Sequence, residues 1–396
     1  MNNAKSSGTI AIAGAGIAGL SAAIALKHEG FPVAIFEREK TLEPIGAGIQ
    51  MGPNATRIME GWELDLLGAS FEPEAIELHN AVSGALLNTI PLRRAARERY
   101  GSPYVTLLRA DLQKALFNRA VELGIAIKYG APVVRAIEGR DSVEIEAGGQ
   151  VSSVAALIGA DGLNSSVRTF FEFPPRRIPA HAVAWRALVP VSAVPAPMRS
   201  MICLWMADGA HLVHYPVAGG AKMNAVLVID DVHRADVESD GREVMPYLLS
   251  RTQAWAEVPH SIVASTESWL HWRMAGVERW DGGAGRIQVI GDAWHAMRPY
   301  LASGGVMAIE DGAALANCLT AAPGNVVAAL SAFRYNRASR VWRVVSASAQ
   351  TGRIYHCPPP FDLVRDLAIK AATGEQLLSR NDWLYGVQRE GRPSVR

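Results

Sequence analysis

The chain has 396 residues, 49% apolar and 19% charged, enough for a large core and two closely joined domains. Its formal net charge of +1 gives no electrostatic case for nucleic acid or an anionic membrane as partner. Cys203, Cys318 and Cys357 lie far apart with no Cys-x-x-Cys, which fits reduced thiols in a cytoplasmic protein and argues against a disulfide framework or a metal site.

Residues 9–13 predict a buried strand, 17–29 a helix, and 33–36 a second strand closing on Glu37-Arg38, together one βαβ unit. The eighteen residues from Thr9 to Leu26 carry no charge, the length of a signal or spanning segment. Gly14, Gly16 and Gly19 break that stretch into strand, turn and helix, so no membrane segment is expected. Residues 46–54 form a loop too rich in glycine to pack by itself, and a helix follows from Ala55 with Asn54 as its cap. Arg109 opens another helix. Residues 143–147 and 151–157 predict a hairpin around Gly148-Gly149, its second strand running on to Asp161-Gly162. From 173 to 276 the texture changes, with antiparallel strands expected at 202–206, 212–216 and 225–229. A buried strand at 287–290 returns the chain to the first sheet. Helices are expected at 306–319 and 331–348, then a break at Pro358-Pro359-Pro360 and a last helix at 361–378.

Two motifs carry chemistry. In Gly14-Ala15-Gly16-Ile17-Ala18-Gly19 the first glycine permits a tight turn, the second lets backbone N–H groups approach a pyrophosphate, and the third lets helix pack on strand. Glu37 falls 18 residues after Gly19, where a carboxylate can accept bonds from both hydroxyls of an adenosine ribose. Far along the chain, Gly291-Asp292 ends a second apolar run. One dinucleotide gripped from two distant places suits FAD, whose ribitol and ring need contacts the first turn cannot reach.

Together with Asp161-Gly162 and Gly291-Asp292-Ala293-Trp294-His295, followed by Pro299 and Glu310-Asp311, the pattern resembles the class A flavoprotein aromatic hydroxylases typified by p-hydroxybenzoate hydroxylase. Gly46–Asn54, Trp185-Arg186-Ala187-Leu188, Met307–Asp311 and Trp383–Gly386 resemble its salicylate hydroxylase and 6-hydroxynicotinate 3-monooxygenase branch. The likeness covers nearly the whole chain. It implies an α/β fold: a Rossmann-like FAD-binding domain (1–75, 100–172 and 277–350), an inserted, mainly antiparallel β-sheet substrate domain (76–99 and 173–276), and a C-terminal helical segment (351–396).

The resemblance also implies roles. Gly14, Gly16, Ala18, Gly19, Glu37, Arg38, Gln50, Arg109, Val133 and Asp161 would hold FAD, with Asp292 on the ribitol and Gly305 and Val306 at the flavin pyrimidine edge. A solvated helix position is the alternative for Arg109. NADH or NADPH would bind transiently over the flavin, which explains the lack of a second Gly-x-Gly-x-x-Gly. Reduced flavin and O2 would then give a C4a-hydroperoxide that hydroxylates an electron-rich ring, with loss of a carboxyl or acyl group where one occupies the attacked carbon.

A base near neutrality belongs opposite the flavin. On a strand, residues 211, 213 and 215 share a face, so His211 and Tyr215 can enter one cavity while His214 faces away. The hydroxynicotinate branch has a His and a Tyr at this spacing in its active site, so the resemblance implies His211 as base and Tyr215 as substrate orienter. The alternative is a pair of satisfied sheet residues. Trp185, Cys203, Trp205, Pro299, Tyr300 and Leu301 are further expected substrate contacts. Arg186 and Arg273 can meet a substrate carboxylate or form ordinary ion pairs.

The sequence departs from the family at Ala302-Ser303-Gly304, where Gly-Gln-Gly is usual, at Trp294, where a small residue is usual, and at Gln50, where the 6-hydroxynicotinate enzymes have histidine. The first two are expected where the flavin lies. A halogenase would need Trp-x-Trp-x-Ile-Pro, which Trp269-Leu270-His271-Trp272 does not match. Same-fold epoxidases or reductases, and a flavin-binding redox sensor without turnover, remain as alternatives. The expected partner is a small aromatic substrate, the expected state a monomer or homodimer.

Overall fold

The computed structural model describes residues 8–41, 47–66, 68–230 and 244–386. Gly46, residues 231–243 and the outermost parts of the expected terminal segments lie outside the described residues.

The apolar runs Ile10–Ala13, Val33–Phe36 and Ala156–Gly159 are buried almost throughout, which suits strands covered on both faces. They pair in parallel, flanked by Ala126–Lys128 on one side and Ile287–Val289 on the other, with Gly283–Ala284 adding an antiparallel edge. Helices Ile17–His28 and Gly304–Ala321 pack together over this sheet in the largest core cluster. Among the described residues no helix is long and apolar enough to cross a membrane.

The second body is a seven-stranded sheet in the order Leu270–Val277, Arg177–Val189, Lys222–Asp230, Ala210–Val217, Ile202–Ala207, Ala75–Asn80 and Leu86–Pro91. Every pairing is antiparallel except the one between Ile202–Ala207 and Ala75–Asn80. One face is sealed by helices Val244–Thr252 and Glu257–Ala264, through Leu248, Ile262 and Val263. The other face looks toward the parallel sheet and carries His211, Val213 and Tyr215. The arrangement is α/β with an inserted antiparallel sheet.

Four local expectations change. The expected strand 151–157 is two strands, because the chain bends at Ala155: Gln150–Val154 completes a small antiparallel sheet, and Ala156–Gly159 enters the large one. The first piece is largely exposed and the second fully buried, so the two lie in different sheets. Asn54 does not cap its helix, which starts at Pro53 with Gly52 as N-cap; its amide instead donates to Glu310 at 2.6 Å. The helix expected at 361–378 stops at Ala371 and restarts at Gly374, where Thr373 and Gln376 form a reciprocal capping box. The expected helix 331–348 runs longer, from Val326 to Tyr355, across the expected boundary at 350.

Candidate active site

The first strand ends in a turn with Gly14 at φ 103°, a conformation open to glycine. The Glu37 carboxylate accepts from the Ala15 N–H at 2.6 Å and from the Glu39 N–H at 2.9 Å, so it closes the turn. Gly19 fixes the spacing: a Cβ there would stand 1.9 Å from the Gly14 carbonyl oxygen. Gly19→Ala is therefore expected to reduce bound FAD by at least about 100-fold in affinity, given that a turn and a helix N-terminus are displaced together. FAD absorbance retained through gel filtration checks this, and full retention would contradict it.

Opposite this turn, Gly291 at φ 58° presents Asp292 at the start of the short helix Asp292–His295. The Gly291 N–H donates to Asp311 at 2.9 Å, and Asp311 also bonds His295 at 2.7 Å and Arg337 at 2.8 Å. Glu310 beside it binds Arg337 at 2.9 Å, Arg340 at 2.5 Å and Asn54 at 2.6 Å. Burial alone would raise both carboxyls. The surrounding cations reverse this, holding Asp311 down at about 2 and Glu310 below its usual range. The Glu310-Asp311 pair is thus a clamp that aims Asp292.

The elements enclose a cavity of about 300 Å³. The N-termini of both Ile17–His28 and Gly304–Ala321 reach it, and neither has a side-chain cap, so their N–H groups and partial positive charge are offered to a ligand. Gly16 lines the cavity, and a Cβ there would meet no atom within 4 Å. Arg109 and Asp292 complete the polar end. A backbone donor set at two helix ends, a guanidinium and a carboxylate fit a dinucleotide with a ribityl chain and an anionic reduced ring.

The far end is the substrate sheet. Gly48 allows the strand Gly48–Met51 to cross Tyr215, since a Cβ there would lie 2.7 Å from the Tyr215 ring; its N–H donates to Asn224 at 2.6 Å. Burial pushes the Tyr215 hydroxyl up, offset partly by Arg186 and a hydrogen bond with Gln50, so the phenol is a neutral hydrogen-bonding group. Gln50 also accepts from Tyr104 at 2.7 Å. Arg186 lines the cavity, its pKa lowered mainly by desolvation in a setting shared with Tyr215, Arg109 and Asp292. Val213, Val226, Val228 and Met297 supply apolar walls. Burial and the neighbouring His356 hold His211 well below 6.5, so the imidazole is neutral at pH 7.

The cavity brings together Gly16, Ala18, Gln50, Arg109, His211, Tyr215, Asp292, Pro299 and Gly305. Other expected contacts lie elsewhere. Trp185, Cys203 and Trp205 face the opposite side of the sheet, in the apolar layer under the two covering helices, so they are not cavity residues. The Cys203 thiol lies 3.6 Å from Glu77, and burial with that carboxylate pushes it up, away from thiolate. Alternation puts Cys203 and Trp205 on one face of their strand but cannot say which face looks inward.

Tyr300 packs behind the cavity, 5.6 Å from the His211 ring, and Leu301 gives its carbonyl to Ser303 at 2.8 Å. Asp161 caps the following turn by accepting from Ser166 and Val167, and Gly162 beside it is the cavity residue. Arg38 is exposed against Glu39. Val133 and Val306 are core side chains.

Trp294 is fully buried away from the cavity, with its indole N–H donating to the Trp280 carbonyl at 3.2 Å. It was expected at the flavin and is instead a core residue, because Asp292 takes the cavity side of that short helix. Ala302 does line the cavity and holds φ 48°, a left-handed conformation that strains an alanine by about 1–2 kcal/mol. His356, which meets His211, and Asp230, which meets His356, carried no local sequence signal.

A family model described as FAD binding domain matches residues 8–348. The chain is 32% identical over 388 residues to the 3-hydroxybenzoate 6-hydroxylase of Polaromonas naphthalenivorans, covering 95% of each. It is 31% identical over 353 residues to the 6-hydroxynicotinate 3-monooxygenase of Pseudomonas fluorescens, covering 85% of this chain and 89% of that one. Its fold matches the structure of Klebsiella pneumoniae HpxO complexed with FAD and uric acid, with a TM-score of 0.85 at 24% identity over 96% of this chain and 97% of that one.

Proposed function

The chain belongs to the FAD binding domain family of class A aromatic hydroxylases, and from that premise we propose that it hydroxylates a phenolic or hydroxypyridine acid with NAD(P)H and O2. The observation that carries this reading is the joint placement of His211, Tyr215 and Arg186 in the cavity that the two helix N-termini also reach. FAD, when bound, supplies the electron acceptor and the oxygen-activating centre. The backbone after Gly14 would hold its pyrophosphate, Glu37 its ribose, Arg109 and Asp292 its phosphate and ribitol, and Gly304 and Gly305 its ring edge.

The protein's own part follows from its side chains. Neutral His211 accepts the proton of the ring hydroxyl, which makes the ring a better nucleophile. Tyr215, kept un-ionised, donates a hydrogen bond that orients the ring. The walls at Val213, Val226, Val228 and Met297 exclude water from the reacting space. Arg186 gives a cation at the cavity wall for a ring carboxylate, the group that the named substrates of both relatives share with a ring hydroxyl. Unpaired Cys203, Cys318 and Cys357 suit a reducing compartment, and we place the reaction in the cytoplasm.

The test is a panel of hydroxybenzoates and hydroxypyridine carboxylates with the FAD-loaded protein. At least one member is expected to accelerate NAD(P)H oxidation and yield a product with one added oxygen. Silence across the panel with FAD bound would favour a sensor without turnover. With the substrate found, Arg186→Leu is expected to raise KM about 10- to 100-fold for the carboxylate and to leave the matching phenol without a carboxyl little changed. Equal losses for both compounds would assign Arg186 to the cofactor instead.

A further inference from the structure

His211 does not stand alone. Its Nδ1 lies 2.7 Å from Nε2 of His356, and Nδ1 of His356 lies 2.8 Å from the Asp230 carboxylate. These three residues come from the strand Ala210–Val217, the end of helix Val326–Tyr355 and the end of strand Lys222–Asp230. His211 lines the cavity, His356 is 7% exposed, and the Asp230 side chain is 47% exposed. The row therefore runs from the reacting space to solvent.

Resting on the reading of His211 as the base, we propose that His356 and Asp230 are positioning residues that fix the His211 tautomer and lead its proton out to solvent. The carboxylate is acceptor only, so His356 must present Nδ1–H to it. That leaves His356 Nε2 as a lone pair, which accepts from His211 Nδ1–H. His211 Nε2 is then unprotonated on the ring edge left for the cavity, the form a base requires.

Proton transfer balances without another reactant. When His211 Nε2 takes the ring hydroxyl proton, its Nδ1 proton passes to His356 Nε2, and His356 releases its Nδ1 proton to Asp230 and water. His211 ends neutral with its proton on Nε2. Return to the starting tautomer needs one proton exchange with solvent after product leaves.

The charge has a reason to move outward. A cation on His211 would sit in a buried site against the rings of Tyr300 and Tyr355, both neutral and each pushed up to about 12 chiefly by burial. A cation on His356 would have the Asp230 carboxylate as direct partner and the C-terminal end of a 30-residue helix behind it. The buried base thus hands on a charge that it is badly placed to keep.

Nitrogen-15 NMR on histidine-labelled, FAD-loaded enzyme tests the tautomers without substrate. Both His211 and His356 are expected as Nδ1–H. Asp230→Asn is expected to populate Nε2–H on His211, because an amide can donate to His356 and reverse the row, while Asp230→Glu keeps the original state. Nε2–H on His211 in the unaltered enzyme overturns the proposal.

The kinetic arm uses the hydroxybenzoate and hydroxypyridine panel. Asp230→Asn is expected to slow hydroxylation about 10- to 100-fold with little change in KM, and Asp230→Glu to restore it. His356→Ala is expected to be slowed similarly and to recover with added imidazole, which a merely structural loss would not do. If His211→Ala is slow while both outer variants run at the original rate, the relay is wrong and the base reading stands. If His211→Ala runs at the original rate, the base reading itself falls.

Discussion

Replacing His211 with alanine is expected to lower the rate of hydroxylation by about 100- to 10,000-fold while FAD remains bound. The size follows from what the residue does: it is the one neutral imidazole among the described cavity residues, and Tyr215 beside it is held un-ionised. Among the other described cavity side chains, Arg109 and Arg186 are guanidinium groups, Gln50 is an amide, and Asp292 lies at the polar end. FAD retention is expected from position, since the proposed cofactor donors lie at the two helix N-termini and at Asp292.

The pH dependence has a definite sign. Burial lowers the pKa of His211, so the neutral, accepting form persists as pH falls from 8 to 6. Activity should therefore not decline over that interval through protonation of His211. Single-turnover oxidation of reduced enzyme with a bound panel substrate would measure both effects. An unchanged product yield and rate in the alanine variant would remove His211 from the reaction.

Much of this site was legible because its parts are local. Gly14, Gly16, Gly19 and Glu37 belong to one βαβ unit, and Gly291-Asp292 ends an apolar strand, so spacing alone assigns their geometry. The pairing of His211 with Tyr215 follows from the two-residue repeat of a strand. The errors have one physical source. Period-2 alternation says which residues share a face but not which face is covered, and helices Val244–Thr252 and Glu257–Ala264 cover the face bearing Trp185, Cys203 and Trp205. Trp294 was misplaced for a related reason: a motif position beside the flavin does not fix which way a four-residue helix turns each side chain. His356 was illegible because it meets His211 across 145 residues, at the end of a helix that no motif marks.

The clamp behind Asp292 carries the largest expected effect on stability. Arg337→Leu should destabilise the protein by about 3–5 kcal/mol, because it strips the shared cation from two buried carboxylates. Arg340 still holds Glu310, whereas Asp311 keeps only His295 and the Gly291 N–H. The loss should therefore fall mainly on Asp311 and, through Gly291, on the turn that presents Asp292.

Acid sensitivity provides the sign. Asp311 is held at about 2 in the folded protein against an ordinary 3.8, so its ionised contacts stabilise the fold above pH 4 and are lost as pH falls toward 2. Without Arg337 that pKa rises, and acid unfolding should begin at a higher pH. Melts of the cofactor-free protein across pH 3–7 would test this apart from any effect of FAD. Replacing Asp311 and Arg337 together by leucine should cost less than Arg337→Leu alone, since no unpaired charge on Asp311 is then left inside. If the double variant melted lower by the full sum of the two single losses, the clamp would be ordinary packing rather than a charge network.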